Sequence, residues 1–76
     1  MLTSKITVYR NNKLVKGVRV VLEFTGFASL GFTRDFYTNS DGVAYVEHGS
    51  KGNANVYLDG KKVGSIYAPG SEIFYI

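Results

Sequence analysis

Turn chemistry recurs along the whole chain and limits what can lie between the turns. Asn11-Asn12, Lys16-Gly17, the stretch from Gly26 to Gly31, Asn39-Ser40-Asp41-Gly42, Gly49 to Gly52, Asp59-Gly60 and Pro69-Gly70 carry residues that tolerate or preset turn dihedrals. The segments between them are short and rich in Val, Ile, Phe, Tyr and Thr, and none has the length or the period of an amphipathic helix. The pattern predicts an all-β chain with seven strands, at Lys5–Arg10, Val18–Thr25, Phe32–Thr38, Val43–His48, Asn53–Asp59, Lys62–Tyr67 and Glu72–Ile76. Such spacing is that of sandwiches and small barrels.

Alternation identifies the buried face. Val18, Val20, Leu22 and Phe24 share one side of the second segment, while Arg19 and Glu23 take the other. Ala54, Val56 and Leu58 repeat this in the fifth, leaving Asn55, Tyr57 and Asp59 to solvent, and Ile6 with Val8 does so in the first. In the third segment Phe36 and Tyr37 are both bulky and lie on opposite faces, so alternation leaves open which points inward. Asp59-Gly60 predicts a tight hairpin, since both residues tolerate positive φ. Asn39-Ser40-Asp41-Gly42 predicts a second hairpin, between the third and fourth segments.

A chain of 76 residues supports one core, and hence one domain spanning residues 1–76. Its 45% hydrophobic and 14% aromatic content is too high for a disordered segment. With no cysteine and a single histidine, neither disulfides nor a structural zinc are expected, so apolar packing must carry stability. The start Met1–Lys5 lacks a basic segment followed by an apolar one, and no stretch reaches bilayer length, so no membrane insertion is expected. The compartment stays open: cytoplasm for the chain as it stands, cell envelope for a module of a larger protein.

The order of features then becomes informative. Ile6-Thr7-Val8-Tyr9, a polar turn, Leu14-Val15-Lys16-Gly17-Val18-Arg19-Val20, Tyr37-Thr38-Asn39-Ser40-Asp41-Gly42-Val43-Ala44, and Gly52-Asn53-Ala54-Asn55-Val56 leading to Asp59-Gly60 follow one another. This series resembles the transthyretin-like, carboxypeptidase-regulatory-like domains over most of the chain. It differs where Leu14-Val15-Lys16 replaces the usual proline turn. A secondary likeness, to the surface-associated PEGA module, lies in Ala54–Gly64. The first resemblance implies an antiparallel Greek-key sandwich of prealbumin-like, Ig-like type. It also implies an accessory or adhesive role without catalysis or cofactor. Its motifs are turn and core patterns, which specify a fold more than an activity.

Residue chemistry leads the same way. A triad would have to borrow His48, Ser50 and one of Asp35, Asp41 or Asp59, yet Ser50 sits in Gly49-Ser50-Lys51-Gly52, which has turn character and no nucleophile elbow. The same four residues lack the spacing and following helix of a phosphate loop. Asn39, Ser40 and Asp41 offer too few oxygens for calcium. No catalytic, cofactor or metal residue is assigned, and no small-molecule substrate is evident.

What remains is surface. Phe27, Leu30 and Phe32 are large apolar side chains in a glycine-bounded loop, where polar residues are usual; they either cap the sandwich or form a contact surface. Tyr9 and Tyr57 face outward if Val8 and Val56 face inward, and the tyrosines are expected to form one patch with Arg19 nearby. The expected partner is a protein, a second copy included. The alternative is a small basic barrel binding nucleic acid or another anionic polymer, since the net charge is +3. Against it, nine Lys and Arg are scattered among six acids and no basic run appears.

Overall fold

The computed structural model describes residues 1–26 and 31–76, and among these the chain is all-β, with nine strands and no helix. The strands are β1 (Leu2–Arg10), β2 (Lys13–Leu14), β3 (Arg19–Phe24), β4 (Gly31–Phe32), β5 (Phe36–Tyr37), β6 (Val43–His48), β7 (Gly52–Leu58), β8 (Lys61–Ala68) and β9 (Ser71–Tyr75). In the first sheet β1 pairs with β2 and β6 antiparallel and with β9 parallel; in the second, β3 pairs with β4, β5 and β7, and β7 with β8. The two sheets enclose one core. Ile6, Val8, Val20, Leu22, Val46 and Val56 are completely inaccessible, each stabilising the fold by about 1.5–3 kcal/mol over its exposed form. All but Val46, which lies in β6, belong to the inward faces that alternation identifies in β1, β3 and β7. No helix among the described residues is long and apolar enough to cross a membrane.

The Asp59-Gly60 hairpin forms as expected: Leu58 opposes Lys61, with φ of 50° and 85° at the two turn residues. Asn11 and Asn12, at φ 53° and 63°, make a like turn that folds β2 onto β1, a strand the sequence pattern does not indicate. The Asn39–Gly42 segment is a turn but not a hairpin, which corrects the expectation. Gly42 N–H donates to Asn39 O at 2.9 Å, and Asn39 Oδ1 accepts from Asp41 and Val43 N–H, yet the turn carries the chain from β5 in one sheet to β6 in the other. Thr38, buried beside it, accepts from Val18 N–H and donates to Val15 O through one hydroxyl, holding the β2–β3 connection in place.

Two further corrections concern strand number and direction. The expected third strand is split: Glu23 opposes Phe32 and Val20 opposes Phe36, so two residues of β3 face the three from Thr33 to Asp35. The extra residue is a bulge-like insertion that reverses the facing of everything after it. Phe32 therefore points outward while Phe36 packs against the core and Tyr37 is exposed, which settles the choice that alternation leaves open. The sandwich is also not wholly antiparallel. Pro69-Gly70 leads the chain from β8 back to the first sheet, where β9 runs parallel to β1. Lys5 N–H donates to Gly70 O and Ile76 N–H to Tyr9 O, whereas Val8 N–H donates to Gly42 O before β6; odd and even residues of β1 thus serve opposite flanks, β9 on one and β6 on the other.

Candidate functional site

His48 is the residue with the most chemistry to offer, and the fold turns it inward. Its Nδ1 lies 2.8 Å from Ser50 O and its Nε2 lies 2.8 Å from Ser4 Oγ. A carbonyl only accepts, so Nδ1 carries a proton; in the neutral ring Nε2 then accepts from the Ser4 hydroxyl, and Ser4 Oγ accepts Gly70 N–H at 3.2 Å. This is a serine–histidine pair set in the core, with Ser4 0% and His48 4% exposed. The cluster joins β1, β6 and the start of β9, with the Phe24 ring against the imidazole at 5.2 Å. Ser50, the serine that sequence reasoning set beside His48, contributes its carbonyl. Among the described residues no group of His, Cys, Asp or Glu is placed to hold a metal.

The outer face of the second sheet is more open. The insertion after β4 turns Phe32 outward beside Tyr57 of β7, with ring centroids 6.0 Å apart and tilted. Together with Arg19, Val21, Thr33, Asp35 and Gly60 they line a shallow groove of about 430 Å³. Val21, paired with Tyr57 across the sheet, and the two rings supply the apolar lining, and Arg19 and Asp35 bring a charge of each sign. Tyr57 is fixed by donating from its hydroxyl to Glu23 Oε1 at 2.8 Å, where Asn55 Nδ2 also donates at 3.1 Å. The Asn55 amide, then the Tyr57 hydroxyl, hold the Glu23 carboxyl below the usual carboxylate range; the same bond to Glu23 pushes the Tyr57 phenol up. Asp59 holds the Arg19 backbone on both sides, through Oδ1 at 3.0 Å and its own N–H at 2.9 Å.

Three expected surface residues, Arg19, Phe32 and Tyr57, thus converge on one groove. Tyr9 does not join them. It lies on the outer face of the first sheet, stacked on Tyr75 at 5.2 Å and 18°, so the single tyrosine patch expected from the sequence is divided between opposite sides of the molecule. Phe27 and Leu30 lie outside the described residues. Sequence reasoning missed Asp35 and Thr33, which only the insertion brings to the groove, and it missed Tyr75, whose facing depends on the β1–β9 register.

The basic residues are less scattered in space than in sequence. Arg10 and Lys13 oppose each other across the β1–β2 turn, Arg19 begins β3, and Lys61 and Lys62 follow the β7–β8 turn, all at one end of the sandwich. Asp59 lies among them, 3.9 Å from Arg10 in a half-exposed pair of little energetic weight. No family model, curated protein or solved structure matches the chain.

Proposed function

We propose that the chain is a non-catalytic interaction module that binds a protein segment in the groove of the second sheet. The observation that carries this reading is the outward pair Phe32 and Tyr57 beside Val21, with Arg19 and Asp35 alongside. Tyr57 is fixed by its hydrogen bond to Glu23 and Phe32 packs against its ring, so the pair presents apolar area with little entropy left to lose, which suits recognition of an aliphatic or aromatic side chain on a partner. The two charges would orient that partner's polar groups. Resemblance to the transthyretin-like domains belongs to this proposal. It is supported by the two-sheet arrangement and by the Asp59-Gly60 hairpin, and it assigns such a module an accessory or adhesive role.

Selection of random displayed peptides on the immobilised protein tests the reading. Enriched peptides should bind the Phe32→Ser protein at least about tenfold more weakly, the loss of about 1.4 kcal/mol expected for an aromatic contact. Peptides indifferent to both Phe32→Ser and Arg19→Ala, or no enrichment at all, would overturn it.

The basic end supports one other reading, an anionic polymer as partner. Counterion release by five cations would make the affinity for a single-stranded oligonucleotide fall with salt at a log–log slope of about −3.5. Absence of oligonucleotide binding at low salt removes this second reading and leaves the groove.

A further inference from the structure

We infer that the outer face of the first sheet is a self-association surface on which two copies of this chain pack face to face. This rests on a different sheet from the groove and stands or falls without it. The register of β1 with its neighbours sets Tyr9, Leu14, Tyr45, Ile73 and Tyr75 on one face, with Thr3, Lys5, Thr7, Glu47 and Ser71 between and beside them, while Val43 of the same face is buried. A solvated antiparallel face ordinarily alternates to polar residues on its outer side. Here Tyr75 is 71%, Tyr45 56%, Ile73 48% and Leu14 45% exposed, and the Tyr9 and Tyr75 rings are already stacked. Several large exposed apolar side chains gathered on one sheet face mark an interaction site.

Charge selects a second copy as the occupant. The chain carries +3, and five of its nine cations gather at one end, where two copies would repel each other. On this face the charged side chains are Lys5 and Glu47, one of each sign, so the face is neutral. A two-fold axis that sets Lys5 against the Glu47 of a second copy sets the reverse pair automatically, as an isologous interface requires.

Sedimentation velocity across a micromolar-to-millimolar dilution series reads the association directly. The 8.4 kDa chain should move from monomer to dimer with concentration, and Tyr45→Lys and Tyr75→Lys should each weaken dimerisation at least tenfold while Phe32→Ser leaves it unchanged. Tyr45 is on β6 and Tyr75 on β9, on opposite flanks of β1, so face packing requires both. Sensitivity at Tyr75 alone would mean edge pairing through β9 and overturn the proposal, as would a wild-type chain that stays monomeric throughout. Circular dichroism establishes that each variant folds; where a lysine does not, the serine variant at the same position carries the same expectation.

Discussion

Phe32 and Phe36 are four residues apart and face opposite sides of the same sheet, Phe32 into solvent beside Tyr57 and Phe36 against the core. In an uninterrupted strand they would share a face. The segment from Thr33 to Asp35 absorbs one extra residue and converts a core position into a groove wall. The groove and the core are thus built by the same local irregularity.

That irregularity is held by Thr33. Its N–H donates to Leu22 O at 2.9 Å and its hydroxyl accepts from Leu22 N–H at 3.1 Å, replacing a ladder bond that the insertion interrupts. Thr33→Val keeps the shape and removes the acceptor, leaving the Leu22 amide without its partner. We expect a loss of about 1–2 kcal/mol in urea unfolding, recovered in Thr33→Ser. Equal stability of the valine and wild-type proteins would show that the hydroxyl does not secure the insertion.

The inward-facing histidine cluster gives a contrasting pair of substitutions. Ser4→Ala strands His48 Nε2 and Gly70 N–H in the interior and should destabilise the fold by about 1–3 kcal/mol. Ser50→Ala should change the unfolding midpoint very little, because Ser50 offers the ring its carbonyl. The reverse order of effects would mean that the Ser50 hydroxyl has a role which this hydrogen-bond pattern does not give it.

Two glycines separate strain from steric conflict. Gly17 and Gly42 both have positive φ, at 85° and 71°. A Cβ at Gly17 meets nothing within 4 Å, while one at Gly42 would lie 2.9 Å from Leu14 side-chain carbons and 3.0 Å from Val8 O. Gly17→Ala should therefore cost only the left-handed backbone penalty, about 1–2 kcal/mol. Gly42→Ala should cost more, because β2 must also move away from the crossover turn. Thermal unfolding of the two variants side by side decides it.

How far the sequence reveals this structure depends on the range of the interaction. Val20, Leu22 and Phe24, or Ala54, Val56 and Leu58, declare their inward face by alternation, and Asp59-Gly60 declares its hairpin by tolerated φ, since these are properties of neighbouring residues. The insertion at Thr33–Asp35 is local too, but it falls in a polar run where alternation has no apolar residues to register a slip. Asn39–Gly42 shows a different limit. Its turn chemistry fixes a reversal of the chain and says nothing about which sheet the next strand joins. The facing of Tyr75 depends on β9 pairing with β1, strands from opposite ends of the chain, and no residue in either segment encodes that register by itself. Of the groove, the sequence yields Arg19, Phe32 and Tyr57 as outward side chains but not their convergence.

The bond between Glu23 and Tyr57 makes stability depend on pH in two separate windows. The Glu23 carboxyl is lowered in the folded chain, by Asn55 first and Tyr57 second, so the stability linked to it is complete above the ordinary carboxylate range and is lost as pH falls through the folded value. Tyr57 is raised by the same carboxylate, so its linked stability is complete below the ordinary phenol range and is lost as pH rises through the folded value. Tyr57→Phe removes the donor and with it the alkaline limb, while Asn55 still bonds Glu23 and preserves part of the acid limb. Urea midpoints of wild type and Tyr57→Phe, measured from acid to alkaline pH, should therefore differ least at the two extremes and most near neutrality. A constant difference across that range would mean that the phenylalanine acts through packing beside Phe32 and that the hydroxyl bond to Glu23 contributes nothing.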